Sequence, residues 1–91
     1  MKVIWTEGAA EDLKEISDYI SKDSPDAAQR VAKAIYDRVM RLKSPLYKGR
    51  TREEETSLEL VIPSLPYIVL YEVIGEGIFV KAVRHTSRDW S

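Results

Sequence analysis

The sequence has 91 residues, of which 44% are hydrophobic and 32% are charged, and its formal net charge is −1. This length predicts one domain, because two would each be too small to bury a core, and the apolar content excludes a disordered chain. The near-neutral charge argues against a uniformly basic nucleic-acid-binding surface. With no cysteine and one histidine, disulfides and thiolate or histidine-rich metal sites are excluded. We expect no cofactor.

The N-terminal residues do not have the pattern of a secretory signal peptide. The apolar run of residues 2–5 is much shorter than a signal-peptide core and is not followed by a small-residue cleavage site. No segment approaches the roughly 20 apolar residues that span a bilayer. We therefore expect a soluble, cytoplasmic protein that does not contact a membrane.

The first predicted elements are a strand and a helix. Residues 2–5 are β-formers, and Thr6 is a suitable N-cap for a helix with Glu7 in its first turn. Charged residues, including Asp12, are assigned to the solvated side of this helix, which ends near Lys22. Its apolar stripe, at helical spacing, consists of Ala9, Leu13, Ile16 and Ile20.

A second helix is predicted to begin at Ser24 and Pro25, an N-cap followed by proline at the first helical position. The short link between the helices predicts an antiparallel hairpin. Ser44 and Pro45 are expected to end the second helix. Its apolar positions are Ala28, Val31, Ile35, Val39 and Leu42.

Three strands are predicted after a charged loop over residues 46–56, in which Gly49 is the expected hinge. The strands span 57–62, 67–73 and 78–84, and the turns "PSLP" and "GEG" join them into an antiparallel meander. The order β-α-α-β-β-β predicts an α+β domain with a helical hairpin packed on one face of a small, mainly antiparallel sheet. The side chains expected between hairpin and sheet are Leu13, Ile16, Ile20, Val31, Ile35, Val39, Leu60, Val69, Tyr71 and Val80.

The other face of this sheet, here called the open face, is expected to be a binding surface. Unpaired charges are costly to bury, so Lys81 marks the open side of the last strand, and alternation places Val83 and His85 beside it. An exposed patch this rich in large apolar side chains usually marks a binding surface, unless the C-terminal residues fold back over it. The predicted open face consists of Glu59, Val61, Ile68, Leu70, Glu72, Phe79, Lys81 and His85.

Five stretches in order, "EGAAEDLKEISDYI", "DSPDAAQRV", "KGR", "PYIVLYEV" and "VRHTSRDW", resemble the RelE/ParE superfamily of toxins from type II toxin–antitoxin systems. Many of these are labelled plasmid-stabilisation proteins and act in bacterial stress responses. The resemblance implies the fold derived above. It also implies a cognate antitoxin that wraps the toxin, and one of two targets. RelE-like members cleave mRNA on the ribosome, whereas ParE-like members inhibit DNA gyrase.

A RelE-like ribonuclease carries, by this resemblance, an arginine directly after the tyrosine of the central strand. Here that residue is Ile68, which follows Tyr67 and cannot stabilise charge on a phosphate in the transition state. Glu59 also stands where lysines are expected. If the chain were a metal-independent nuclease, its candidate catalytic residues would be His85, Arg88, Arg84 and Arg50, with Arg52 or Glu55 as further candidates.

The ParE-like interpretation is therefore preferred, because it requires only a protein-binding surface near the C-terminus. The segment from His85 to Asp89 resembles the ParE-type ending. A solvated tail with surface ion pairs and a non-toxic relic that only binds its antitoxin are the remaining alternatives, and the isolated chain is a possible homodimer. The residues assigned to toxicity are Arg84, His85, Arg88, Asp89 and Trp90. Those assigned to antitoxin binding are Val61, Ile68, Leu70, Phe79 and Lys81.

Overall fold

The computed structural model describes residues 2–43 and 57–86. Its elements follow the predicted order β-α-α-β-β-β, with a short 3₁₀ turn, Arg41–Lys43, after the second helix. The predicted stop at Ser44 and Pro45 and the charged loop over 46–56 lie outside the described residues. The elements are β1 (Lys2–Trp5), α1 (Glu7–Ser21), α2 (Pro25–Met40), β2 (Ser57–Val61), β3 (Tyr67–Ile74) and β4 (Gly77–His85).

The described strands form one four-stranded mixed sheet in the order β1-β4-β3-β2. The meander β2-β3-β4 is antiparallel, and β1 lies parallel to the first part of β4, with Lys2 opposite Gly77 and Trp5 opposite Val80. The predicted fold class, with its mainly antiparallel sheet, is confirmed. The parallel pairing brings the first and last strands of the chain side by side.

Both helices begin at the predicted caps. The Thr6 hydroxyl accepts a hydrogen bond from the Ala9 amide at 3.2 Å, and the Ser24 hydroxyl accepts one from the Ala27 amide at 3.1 Å. Each cap satisfies one of the amides that the first helical turn leaves without a partner. Pro25 stands at the start of α2, as the sequence indicates.

The core lies between the hairpin and one sheet face. Ile35 and Val39 of α2 are fully buried against Val69 and Val80 of the sheet. The predicted positions Leu13, Ile16, Ile20 and Val31 are only half-buried, although Leu13, Ile16 and Val31 pack against the core. Their burial was overestimated from the helical period alone.

A β-bulge in β4 makes one part of the sequence prediction wrong. Val80 pairs with Tyr71 while Ala82 pairs with Leu70, so Lys81 is an extra residue without an opposite partner. One extra residue reverses the alternation of every side chain that follows it. Val83 is therefore buried in the core. His85, which pairs with Tyr67, lies on the helix side of the sheet and not on the open face.

The tight turn between β3 and β4 depends on Gly75, whose φ of 59° is in the left-handed region. Glycine adopts this conformation without the steric cost of a β-carbon. Ile74 and Gly77 pair across the turn, so Gly75 and Glu76 form a two-residue hairpin loop. Glycine at its first central position is typical of type II′ hairpins.

We predict that Ile35→Ala lowers the free energy of unfolding by about 2–5 kcal/mol, because the truncation leaves a cavity in a core that closes around this side chain. Chemical denaturation measures the loss. Gln29→Ala, an exposed position on the same helix, is the matched control and should change stability by less than about 0.5 kcal/mol. Equal effects of the two variants would contradict the packing of α2 described above.

We also predict an alkaline loss of stability caused by Tyr71. Burial raises the pKa of its phenol above 10.0, although nearby Arg38 partly offsets the effect. Because the folded-state pKa is the higher one, the stabilisation is fully present below pH 10 and is lost as pH rises through the folded-state pKa. The free energy of unfolding, measured by chemical denaturation at a series of pH values above 10, should fall more steeply with pH for the wild type than for Tyr71→Phe. An equal dependence on pH in the two proteins would contradict the burial of the phenol.

Candidate functional site

The last part of β4 extends past the end of its neighbour β1. β1 stops at Trp5, opposite Val80, whereas β4 continues to His85. From Lys81 onwards, the edge of β4 that faced β1 therefore has no strand beside it among residues 2–43 and 57–86. α1 begins at this point and runs along that edge.

Thr6 joins the end of β1, the start of α1 and β4. Its amide and its hydroxyl both donate to the carbonyl oxygen of Val80, at 3.1 and 2.8 Å. The same hydroxyl oxygen accepts the Ala9 amide as the cap of α1. One side chain thus fixes where the strand pairing ends and how the helix leaves the sheet.

Asp12 of α1 supplies a hydrogen-bond acceptor to β4 beyond the end of β1. Its Oδ2 accepts a hydrogen bond from the amide of Val83 at 3.0 Å. The residue is half-buried, although the sequence assigned it to solvated surface. Its position three residues after Ala9 and four before Ile16 places it at the border of the apolar stripe, and this spacing is the signal that was missed.

A groove of about 580 Å³ lies between α1 and the end of β4. The ring of His85 meets the ring of Tyr67 edge-on, with centroids 5.3 Å apart. Carboxylates of α1 stand on the opposite wall, so the groove combines acidic, aromatic and imidazole groups. Its lining consists of Asp12, Glu15, Ile16, Tyr19, Tyr67, Val83, Arg84 and His85.

Arg84 belongs to the open face. It pairs with Ile68 in the sheet and is exposed, and as the strand neighbour of His85 it is directed to the opposite side. The side chains of Arg84 and His85 therefore leave β4 on different sides of the sheet, although both residues line the groove. Arg88, Asp89, Trp90 and Arg50 lie outside the described residues.

The open face is mixed in charge and in polarity. Lys81 forms an ion pair with Glu72 at 3.4 Å, so the positive charge of Lys81 is partly compensated there. Val61 is 62% exposed, whereas Ile68 is only 6% exposed. Leu70 and Phe79 are partly exposed. Of the residues assigned to antitoxin binding, Ile68 therefore offers the least surface.

Over 2–43 and 57–86, no three histidine, aspartate or glutamate side chains converge as metal ligands. No helix in these ranges is long and apolar enough to cross a membrane.

The family model of the ParE toxin of type II toxin–antitoxin systems, parDE, matches residues 3–90. Y4kP of Sinorhizobium fredii is 36% identical over 89 residues, covering 98% of this chain and 92% of the relative. Toxin RelE2 of Caulobacter vibrioides is 33% identical over 87 residues, covering 96% of this chain and 97% of the relative.

The fold has a solved counterpart in a chromosomal ParDE toxin–antitoxin system from P. aeruginosa. The TM-score is 0.80 at 26% sequence identity, and the match covers 96% of this chain and 97% of the other. Sequence and fold thus agree over almost the whole chain, and the resemblance to the RelE/ParE superfamily is confirmed. The chain belongs to the ParE toxin family of type II toxin–antitoxin systems.

Proposed function

We propose that this toxin inhibits DNA gyrase and that a cognate antitoxin neutralises it by covering the open face. The observation that carries the choice of target is Ile68. This residue occupies the centre of the sheet, directly after Tyr67, and is nearly inaccessible to solvent. An aliphatic side chain there supplies no charge to a scissile phosphate.

The arrangement of the other nuclease candidates supports the same choice. Metal-free RNA cleavage needs a general base, a general acid and a positive charge that converge on one phosphate. His85 lies on the helix side of β4, packed edge-on against Tyr67, whereas Arg84 lies on the open face opposite Ile68. Both residues line the groove, but strand alternation directs their side chains to opposite sides of the sheet.

Inhibition of gyrase requires fewer specific residues than RNA cleavage does. A toxin that acts by binding needs a complementary surface, and it does not need catalytic side chains that converge on one atom. The end of β4 offers an exposed guanidinium at Arg84 and a half-exposed imidazole at His85. Arginine is favoured at protein interfaces because its planar group donates several hydrogen bonds. Membership of the ParE family supports this assignment.

The open face suits an antitoxin segment that folds on binding. Val61 and the partly exposed Leu70 and Phe79 provide apolar contact, and the Lys81–Glu72 pair provides polar contact beside them. Disordered segments gain affinity by laying apolar side chains on such surfaces. The ParDE system with the same fold supports a partner of this kind.

We predict that the purified toxin blocks supercoiling by gyrase or traps cleaved DNA and leaves mRNA on translating ribosomes uncut. Arg84→Ala, and deletion of residues 88–91, should each weaken inhibition of gyrase and of growth, because both remove groups assigned to the target contact. Arg30→Ala, which removes an exposed arginine from α2, is the matched control and should remain toxic.

Primer extension on mRNA from translating ribosomes tests the alternative target directly. Codon-specific cuts that disappear in His85→Ala would overturn the gyrase proposal in favour of the nuclease. Filamentation with DNA-damage signalling in expressing cells agrees with gyrase inhibition, whereas translation arrest contradicts it.

We predict that Leu70→Glu weakens antitoxin binding without unfolding the domain, since the side chain lies on the open face and is only partly buried. Isothermal titration with the antitoxin measures the affinity, and circular dichroism checks the fold. Ala34→Glu adds the same charge to an exposed position of α2 and should bind as the wild type does. A structure of the complex in which the antitoxin does not contact the open face would contradict the proposal.

A further inference from the structure

The final residues of β4 depend on a side chain for the hydrogen bonding that a strand would normally supply. β1 ends opposite Val80, and backbone amides that lose their strand partner must find another acceptor or water. The amide of Val83 is held by Asp12 Oδ2 at 3.0 Å, although the two residues are 71 positions apart in the chain. A hydrogen bond to a carboxylate is stronger than one between neutral groups.

This bond belongs to only one register of β4. With Lys81 bulged, Val83 pairs with Val69 and its amide faces α1. If β4 ran without the bulge, Val83 would pair with Ile68 and Arg84 with Tyr67. The alternation would reverse, the Val83 amide would turn toward β3, and Arg84 would enter the helix side.

We propose that Asp12 is a positioning residue for toxicity: its carboxylate holds the end of β4 in the bulged register, with Arg84 on the open face and His85 in the groove. The role in toxicity rests on the function proposed above, whereas the role in the register does not. In this proposal Asp12 acts through the strand that carries the target-binding residues.

Removal of the carboxylate leaves the Val83 amide without its acceptor, so the end of β4 should open more often. In the full-length Asp12→Ala protein, the Val83 amide should lose its protection from hydrogen exchange. The chain has a single histidine, so its imidazole signals in an NMR spectrum are unambiguous. Their chemical shifts should lose the contribution of the Tyr67 ring, whose centroid lies 5.3 Å from that of the imidazole.

The toxicity readout is the toxin concentration that half-inhibits purified gyrase. It should rise about tenfold or more in Asp12→Ala, as expected for the loss of a hydrogen bond to a charged acceptor, while antitoxin affinity stays nearly constant. Asp12→Asn keeps an acceptor oxygen at the same reach and should restore most of the inhibition. Val31→Ala, a half-buried position of α2, lowers stability away from β4 and should keep both activities.

Several results would overturn the proposal. One is a Val83 amide in the wild type that exchanges as fast as an unstructured peptide, a measurement that remains decisive even if Asp12→Ala fails to fold. Another is a parallel loss of antitoxin binding and gyrase inhibition in Asp12→Ala, or an equal loss of inhibition in Val31→Ala, which would indicate general destabilisation. If the wild type does not inhibit gyrase, the proposed function fails, whereas the exchange and histidine measurements still decide whether Asp12 sets the register.

Discussion

The difference in length between β1 and β4 is the constraint on which the structure around Arg84 and His85 depends. Because β1 stops at Trp5, the chain must enter α1 at once, and Thr6 makes this possible by capping the helix while it donates to Val80. α1 then lies along the part of β4 that has no strand beside it. The helix can replace that strand only through a side chain that accepts a hydrogen bond, and Asp12 is such a side chain.

The bulge at Lys81 resolves a conflict within the sequence of β4. Regular alternation would place Val83 on the same side as Lys81 and would direct Arg84 toward the helices. The extra residue lets Val80 and Val83 both reach the core, while Lys81 remains near Glu72 on the open face. Burial of the Val83 side chain and solvation of the Arg84 guanidinium both favour this register. The bulge thus exchanges the sides on which Arg84 and His85 lie.

Much of the fold was predictable because it depends on local signals. The caps at Thr6 and Ser24, the proline at the start of α2 and the glycine turn after Ile74 each have a physical reason that acts within a few residues. The side of His85 and the contact of Asp12 with Val83 were not predictable. Both depend on where β1 ends relative to β4, which is a contact between distant parts of the chain. The two-residue alternation of side chains describes a regular strand, and it does not show where an extra residue is inserted.

The pairing of the first strand with the last also governs when the protein can fold. The contacts of Thr6 with Val80 join residues 74 positions apart, and closing so long a loop precedes any gain from the pairing. β1 and the start of α1 have no strand to join until β4 has been synthesised. The helical hairpin, whose contacts are local, can form before that point. Folding of the surface that carries Arg84 therefore follows the synthesis of β4, whereas folding of the hairpin does not depend on it.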